Sequence, residues 1–555
     1  MKWITILALV SLIMPVSRAQ TNQNTPARAP KGETASGRSV QQVPIPHLKQ
    51  QGTATQLIVG GKPFIMLAGE LHNSSASSLA YMAPIWPKLK ALNLNTVLAT
   101  VSWELIEPQE GKYEFALVDG LIDTARRHGL KLVFLWFGSW KNGVSTYAPM
   151  WVKTDLKRFP RARNKGGFNM DVLSPSSGAA RDADARAFAA LMRHIRSVDT
   201  DRTVLMMQVE NEVGLLGETR DRSPLAQAEW SQAVPSELMN YLQANKGKLI
   251  EEMERVWADA GYKTSGTWAE VFGDNPFGDE IFMAWQYARY IGRIVAAGKA
   301  EHPIPMYVNA WLVQNPKQLP GGYPSGGPVS RMMNVWRAAA PQIDFLAPDI
   351  YLSDFKGVCA SYSRSGNLLF IPEASRGPIS AANVFWAIAQ HDAIGFAPFG
   401  IDSVEVNHPL RKSYEVLAEL MPVITKYNGT GKMIGLLETN QPTELQTLGD
   451  YTFLVDYGFG RRNEDAEKQK GYGLLIEIGP GEYLVAGSGV SLRLGGVPPD
   501  PKGIARIGWI DEGRFVDGKW VPGRRLNGDE NAGGNRVILS RGEVGIQRFV
   551  LYRHD

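Results

Sequence analysis

The pattern of apolar and polar positions repeats along most of the chain. Leu79–Leu92, Leu117–His128, Ala183–Val198, Asp279–Ala300, Ser330–Ala340, Ala381–His391 and Leu410–Tyr427 carry apolar residues at helical spacing. Between them lie short apolar runs that suit buried strands: Phe64–Ala68, Asn95–Val101, Leu130–Phe137, Thr203–Val209, Pro305–Asn309, Ile343–Pro348, Leu368–Ile371 and Ile394–Pro398. Eight strands that nearly all alternate with helices predict a parallel sheet closed as a (β/α)8 TIM barrel. An open doubly wound sheet is the competing arrangement. It is disfavoured because no Gly-rich phosphate loop follows the first strand, and because polar residues end nearly every strand rather than marking one switch point. Thr55–Val59, with the turn Gly60-Gly61-Lys62-Pro63, reads as a hairpin feeding the first strand.

After Met433 the pattern changes. Stretches such as Thr452-Phe453-Leu454-Val455, Gly473–Ile476 and Ile546–Tyr552 alternate with Gly, Asp, Asn and Pro turns. This predicts an all-β, sandwich-like domain over 431–555, behind a catalytic barrel over 46–430. Its expected role is structural, packed on the barrel. Two long connections, Gly138–Asp182 and Leu215–Gly278, fall on the C-terminal side of the barrel, where long loops shape sites.

The 555 residues exceed one ordinary domain, and 44% hydrophobic with 21% charged residues describe a globular protein. A net charge of +4 without a basic stripe argues against nucleic acid as a partner. Cys359 is the single cysteine, so no intrachain disulfide can form; it reads as a small buried filler. Lys2, the apolar run Ile4–Val16 and Ser17-Arg18-Ala19 have the form of a signal peptide over 1–19, cleaved before Gln20. No cysteine follows that could carry a lipid, so the expectation is export to the periplasm or beyond with no membrane anchor. Residues 20–45, polar and rich in Pro and Gly, read as a disordered linker.

The candidate chemistry lies at strand ends. Val204–Val209 runs into Glu210-Asn211-Glu212, and Glu373 follows Leu368–Ile371 three strands later. Polar groups at the end of a buried strand are costly unless hydrogen-bonded or used. Two carboxylates facing each other across a barrel mouth suit glycoside hydrolysis, one attacking the anomeric carbon and the other protonating the leaving oxygen. Asn211 would hydrogen-bond the sugar hydroxyl beside that carbon. Tyr351 would donate to Glu373, and Arg376 would help keep it ionised. Within the strand, alternation would turn Glu210 to the same side as Glu212, where it would support the pair. Trp103, Trp140 and Trp311 are candidate sugar platforms, and Glu104 and Asn142 candidate hydroxyl partners. Glu70 and His72 are expected in the pocket or in a network beneath it. Scattered histidines without metal-ligand spacing give no metal or other cofactor.

Three stretches carry a family resemblance: Phe64–His72; Trp103-Glu104-Leu105-Ile106-Glu107-Pro108 with Gly111-Lys112-Tyr113-Glu114-Phe115; and Glu210-Asn211-Glu212-Val213-Gly214. They resemble clan A glycoside hydrolases, and family 35 β-galactosidases in particular, over about 46–430. The resemblance implies Glu212 as acid/base, Glu373 as nucleophile and galactose released with retained configuration. Departures at Leu71-His72-Asn73, at Gly138–Asn142 and at Ala374 make the chain look more like a bacterial subgroup with a single C-terminal β domain. The implied substrate is a terminal β-D-galactosyl residue on an oligosaccharide, of plant cell-wall type. Another clan A exo-glycosidase (β-glucosidase, β-fucosidase or α-L-arabinopyranosidase) or a non-catalytic sugar-binding barrel are the alternatives. Nothing in the sequence fixes the oligomeric state.

Overall fold

The computed structural model describes residues 43–459, 469–494 and 503–554. The expected signal peptide and nearly all of the expected linker lie outside them. From Val43 onward the chain forms one compact unit. Its centre is a closed parallel barrel of β1 (Met66–Glu70), β2 (Thr96–Ser102), β3 (Lys131–Lys141), β4 (Val204–Asn211), β5 (Met306–Trp311), β6 (Phe345–Ile350), β7 (Ile371–Ala374) and β8 (Gly395–Pro398). The strands follow one another around the ring in chain order, and β8 pairs with β1.

The strands separate two apolar layers by alternation. Met66, Ala68, Leu98, Val133, Leu135, Tyr307, Phe345 and Ala347 fill the barrel interior. Leu67, Val97, Ala99, Leu132, Phe134 and Leu346 face outward against the helices. One helix follows each strand in the outer ring: α1 (Ile85–Ala91), α2 (Ala116–Arg127), α3 (Gly178–Val198), α4 (Pro276–Glu301), α5 (Met333–Ala339), α6 (Phe355–Tyr362), α7 (Ser380–His391) and α8 (Leu410–Tyr427).

Three elements differ from the sequence expectation for identifiable reasons. The helix expected over 79–92 is two pieces, Leu79–Met82 and α1, with Pro84 between them. Helix α6, absent from the periodicity reading, starts at an Asp354 cap whose carboxylate accepts the Gly357 N–H. Strand β7 pairs from Ile371 rather than Leu368, so Glu373 lies within the ladder, opposite Asp349.

The open N-terminal end of the barrel is sealed by a three-stranded antiparallel sheet, His47–Gln51, Ala54–Val59 and Lys62–Phe64. Leu57 enters the interior core, with Leu48, Val59 and Phe64 packed around it. This sheet is tied to the end of α8. Gln51 and Gln56 side-chain amides donate to the Thr425 carbonyl at 2.9 and 2.6 Å, and Thr53 N–H donates to the Gly429 carbonyl at 3.0 Å.

The C-terminal part is a sandwich, as expected. A six-stranded sheet runs in the order Met433–Leu437, Tyr472–Gly479, Glu482–Ser488, Gly545–His554, Ile504–Val516, Lys519–Leu526. It faces a four-stranded sheet of Thr443–Leu448, Tyr451–Asp456, Val490–Arg493 and Arg536–Leu539. Leu475, Tyr483, Val485 and Phe549 fill the space between them. The alternate residues Leu474, Ile476, Leu484 and Ala486 join the barrel's core. Phe385 of α7 lies 5.2 Å from the Tyr472 ring, and Gln390 accepts the Gly435 N–H at 3.1 Å.

Candidate active site

The end of β4 departs from regular strand geometry. Glu210 and Glu212 both have positive φ, 63° and 46°. This region is costly for side-chain-bearing residues and persists where the surroundings over-determine it. The left-handed Glu210 breaks the alternation, so the expectation that Glu210 and Glu212 share a side is overturned. Glu210 turns behind the sheet toward α3 and meets Asp184. Its two oxygens accept the Ser139 and Trp140 N–H groups at 3.0 and 2.8 Å. Asp184 accepts Trp136 Nε1–H at 2.8 Å and the Ser139 hydroxyl at 2.6 Å, and Ser139 Oγ lies 2.7 Å from the Tyr290 hydroxyl. Burial raises both carboxyls, and for Glu210 the neighbouring Asp184 adds to the rise. This network clamps the end of β3 to the end of β4 from outside the mouth.

Asn211 and Glu212 face the mouth. Lys141, nearly buried, donates from Nζ to Asn211 Oδ1 at 2.9 Å. That bond fixes the amide orientation and leaves Asn211 Nδ2, buried and without an acceptor, free to donate. Glu212 N–H donates to Asn309 Oδ1 at 3.0 Å, and Asn309 Nδ2 donates to Asp349 Oδ2 at 2.7 Å. Oxygens of Glu212, Asp349 and Glu373, all three buried, lie within 4.8 Å of one another. Tyr351 donates from its hydroxyl to Glu373 Oε1 at 2.6 Å. Glu70, at the end of β1, is within hydrogen-bonding reach of Glu373.

Four buried carboxyls around one opening cannot all ionise. Glu212 is pushed up to about 7, first by burial and then by the Glu373 charge, with Lys141 and Asp349 opposing the rise. Asp349 is raised well above the usual carboxylate range by burial and then by Glu373 and Glu212. Glu70 is raised by burial and then by Glu373. A divalent cation could be held by the oxygens of Glu212, Asp349 and Glu373, the hard donors such ions prefer, only by displacing the protons that burial favours on two of them.

Other sequence candidates fall in different places. Trp140 is 0% exposed, packed against Tyr287 and Tyr290 at 5.0 and 4.4 Å, with Nε1–H on the Leu173 carbonyl. Trp103 is also 0% exposed, bonded to Glu107 and edge-on to Trp151. Neither ring offers a face to a sugar; both seal the layer behind the strands, the commoner use of a large aromatic. Glu104 is half-exposed and pairs with Lys153 at 3.3 Å. Asn142, with φ of 52°, donates its N–H to the Asn211 carbonyl, and its buried Oδ1 has no donor. Trp311 ends β5 half-buried, in register with Asp349.

Arg376 turns to His72 (Nη1 to Nε2, 3.3 Å), and His72 Nδ1 meets Asp402 at 2.9 Å. The expected support of Glu373 by Arg376 is therefore not formed, whereas the expected Tyr351 donor is in place. A cleft of about 650 Å³, lined by His72, Asn73, Tyr81, Phe399 and the serines between Asn73 and Tyr81, opens where β8 and β1 meet. Asp349, Asn309, Lys141 and Asp184 were not singled out from sequence. Asp349 and Asn309 had the same signal as Glu212, a polar residue closing a buried run, whereas Asp184 looked like any helix-surface charge.

A glycoside hydrolase 42 family model, described as beta-galactosidase, matches residues 82–278. A domain of unknown function, DUF5597, matches residues 410–538, from α8 across most of the sandwich. A beta-galactosidase of Xanthomonas manihotis is 29% identical over 171 residues, covering 29% of this chain and 25% of that protein. The chain thus spans about a quarter of that curated relative. Among solved structures, beta-galactosidase from Bacillus circulans sp. alkalophilus aligns at 15% identity and a TM-score of 0.44, covering 65% of this chain and 57% of that one. The beta-mannanase of the blue mussel Mytilus edulis aligns at 13% identity and 0.39, covering 67% and 96%. The sequence resemblance is therefore met at the level of clan A β-galactosidases, through a family 42 match rather than family 35.

Proposed function

We propose that this chain is a retaining exo-glycosidase that removes terminal β-D-galactosyl residues from oligosaccharides. The observation that carries the reading is the pairing of Glu212, with its carboxyl pushed up to about 7, and a Tyr351-bound Glu373, their oxygens within 4.8 Å. A pair this close in the barrel mouth can act on one glycosidic bond, one carboxyl as acid and the other as nucleophile.

Glu373 attacks the anomeric carbon while Glu212 gives its proton to the leaving oxygen. A galactosyl ester on Glu373 forms as the glycosidic bond breaks. Glu212, now a carboxylate, takes a proton from water, whose oxygen displaces Glu373. Asn211 Nδ2 donates to the sugar hydroxyl next to the reacting carbon, a contact that tightens in the transition state. The Trp103–Phe115 and Glu210–Gly214 motifs resemble a bacterial branch of family 35, although the segment that holds them matches the family 42 model, and either branch fits a catalytic barrel over 46–430 and a β domain over 431–555. Plant cell-wall oligosaccharides, and export to the periplasm or outside through the 1–19 segment, complete the proposal.

Nitrophenyl β-galactoside, β-glucoside, β-fucoside and α-L-arabinopyranoside assays test it. β-Galactoside is expected to be cleaved fastest, with kcat falling about 10³-fold or more in Glu373→Gln and in Glu212→Gln. A wild type that cleaves none of them, or a fully active Glu373→Gln, overturns the mechanism.

A further inference from the structure

We infer that Asp349 is a third member of the reacting centre, standing protonated and donating a hydrogen bond to the Glu212 carboxylate each time Glu212 has given its own proton away. The inference rests on the hydrolase reading of the same site and adds a residue and a role to it. Its argument is one of donor and acceptor matching.

Glu212 N–H occupies Asn309 Oδ1, so the group that Asn309 turns to Asp349 must be its NH2. Asp349 Oδ2 is therefore an acceptor. Its other oxygen, Oδ1, is buried and meets no donor. An oxygen of Glu212 lies within 4.8 Å of an oxygen of Asp349, the two side chains are within hydrogen-bonding reach, and Glu212 is an acceptor when ionised. A donor on one oxygen, no donor on the other and an acceptor carboxyl beside the side chain make the environment of a neutral carboxylic acid. An ionised Asp349 would set oxygen against oxygen between two buried side chains. Register enforces the position, since Asp349 pairs with Glu373 on one side and Trp311 on the other.

The proton balance is simple. When Glu212 protonates the leaving oxygen, the new Glu212 carboxylate accepts the Asp349 O–H. When Glu212 later takes a proton from water, that bond reverts. Asp349 keeps its proton throughout and acts through Glu212, as a positioning residue. The other titratable groups facing Asp349 are Glu70 from β1, Tyr307 from β5, Tyr351 just past its own strand β6, Tyr362 from α6 and Glu373 from β7. Lys141 from β3 acts on Glu212 and Glu70. None of these is altered in the test.

The test compares Asp349→Asn with Asp349→Leu in the pH profile of kcat/KM on nitrophenyl β-galactoside. An Asn amide can accept from Asn309 and still donate to Glu212, so the alkaline limb is expected within about 0.3 units of wild type. Leu removes the donor while keeping the branched shape, and the limb is expected to move up by about one unit, as loss of a hydrogen bond to the charged form requires. A downward shift in both variants means that Asp349 was an anion and overturns the proposal; so does no shift in either.

A second readout needs neither activity nor a folded Leu variant. In wild type labelled with 13C at the Asp carboxyls, the resonance missing from Asp349→Asn should have the shift of a protonated acid at pH 7. The shift of an ionised carboxylate overturns the proposal. An inactive wild type with a protonated Asp349 removes the hydrolase reading alone, so the two failures are distinguishable.

Discussion

A carboxyl held near pH 7 acts on folding as well as on reaction. The folded pKa of Glu212 lies above its ordinary value of 4.5, so its contribution to stability is complete below about 4.5 and is lost as pH rises through about 7. Asp349, Glu70 and Glu210 shift in the same direction. The melting temperature is therefore expected to fall between pH 5 and pH 8. Glu212→Gln, which cannot ionise, should recover part of that loss at pH 8, with a ceiling on the order of 3 kcal/mol, and little at pH 5. Calorimetry of both proteins at the two pH values checks this, and an identical pH dependence in the variant refutes it. At this scale the sequence exposed only part of the site. Glu212 and Glu373 stood out because a carboxylate closes an apolar run. Asp349 closes one too, but its meaning depends on the Asn309 amide on the neighbouring strand β5, one βα unit earlier in the chain. Lys141 lay in a segment that matched no familiar motif, and only the register of β3 with β4 brings it to Asn211.

Among the elements, the ends of β3 and β4 work as a pair. Gly138 allows this: a Cβ there would stand 2.5 Å from Trp136 Nε1, 2.7 Å from Glu210 Oε1 and 2.8 Å from Asp184 Oδ2. Gly138→Ala is expected to cost about 1–3 kcal/mol by overpacking. It should also lower kcat/KM, because the Glu210 clamp holds Asn211 and Glu212 in place. Denaturant unfolding and steady-state kinetics measure the two effects, and an unchanged pair of values would refute the coupling. The strand and helix order was legible because each barrel element repeats its period for long enough. The left-handed turn at Glu210 was not, since nothing in Val209-Glu210-Asn211 marks it; tertiary bonds from Ser139 and Trp140 impose it. Helix α6 was missed because its apolar stripe, Phe355, Val358, Cys359 and Tyr362, lasts only eight residues and includes Gly357 among them.

For the molecule as a whole, the six-stranded sheet of the sandwich has two buried faces. Leu475 and Tyr483 look to the second sheet while Leu474 and Leu484 look to the barrel. The change of texture at Met433 was plain in sequence. The second apolar face was not, because a run such as Leu474-Leu475-Ile476 carries no sign of which neighbour each face will meet. Ending the chain at residue 430 would uncover α7, where Phe385 and Trp386 pack, and strip the Tyr472 hydroxyl from Ser413. The shortened protein is expected to be insoluble or to melt well below the full chain, as assessed by expression trials and calorimetry. A soluble, active 43–430 fragment would refute this. At the same interface, Leu474→Ala is expected to cost about 2–5 kcal/mol.

The sheet that seals the lower end of the barrel bears on how the chain is assembled during synthesis. Gln51 is bonded to a carbonyl 374 residues further on. The strands that plug the barrel leave the ribosome first, yet their partners on α8 are made only after all eight strands. Until then Leu57 and Phe64 have no finished interior to fill, and loop closure over such a separation is a slow, late event. The first residues of the barrel are thus among the last to reach their final contacts.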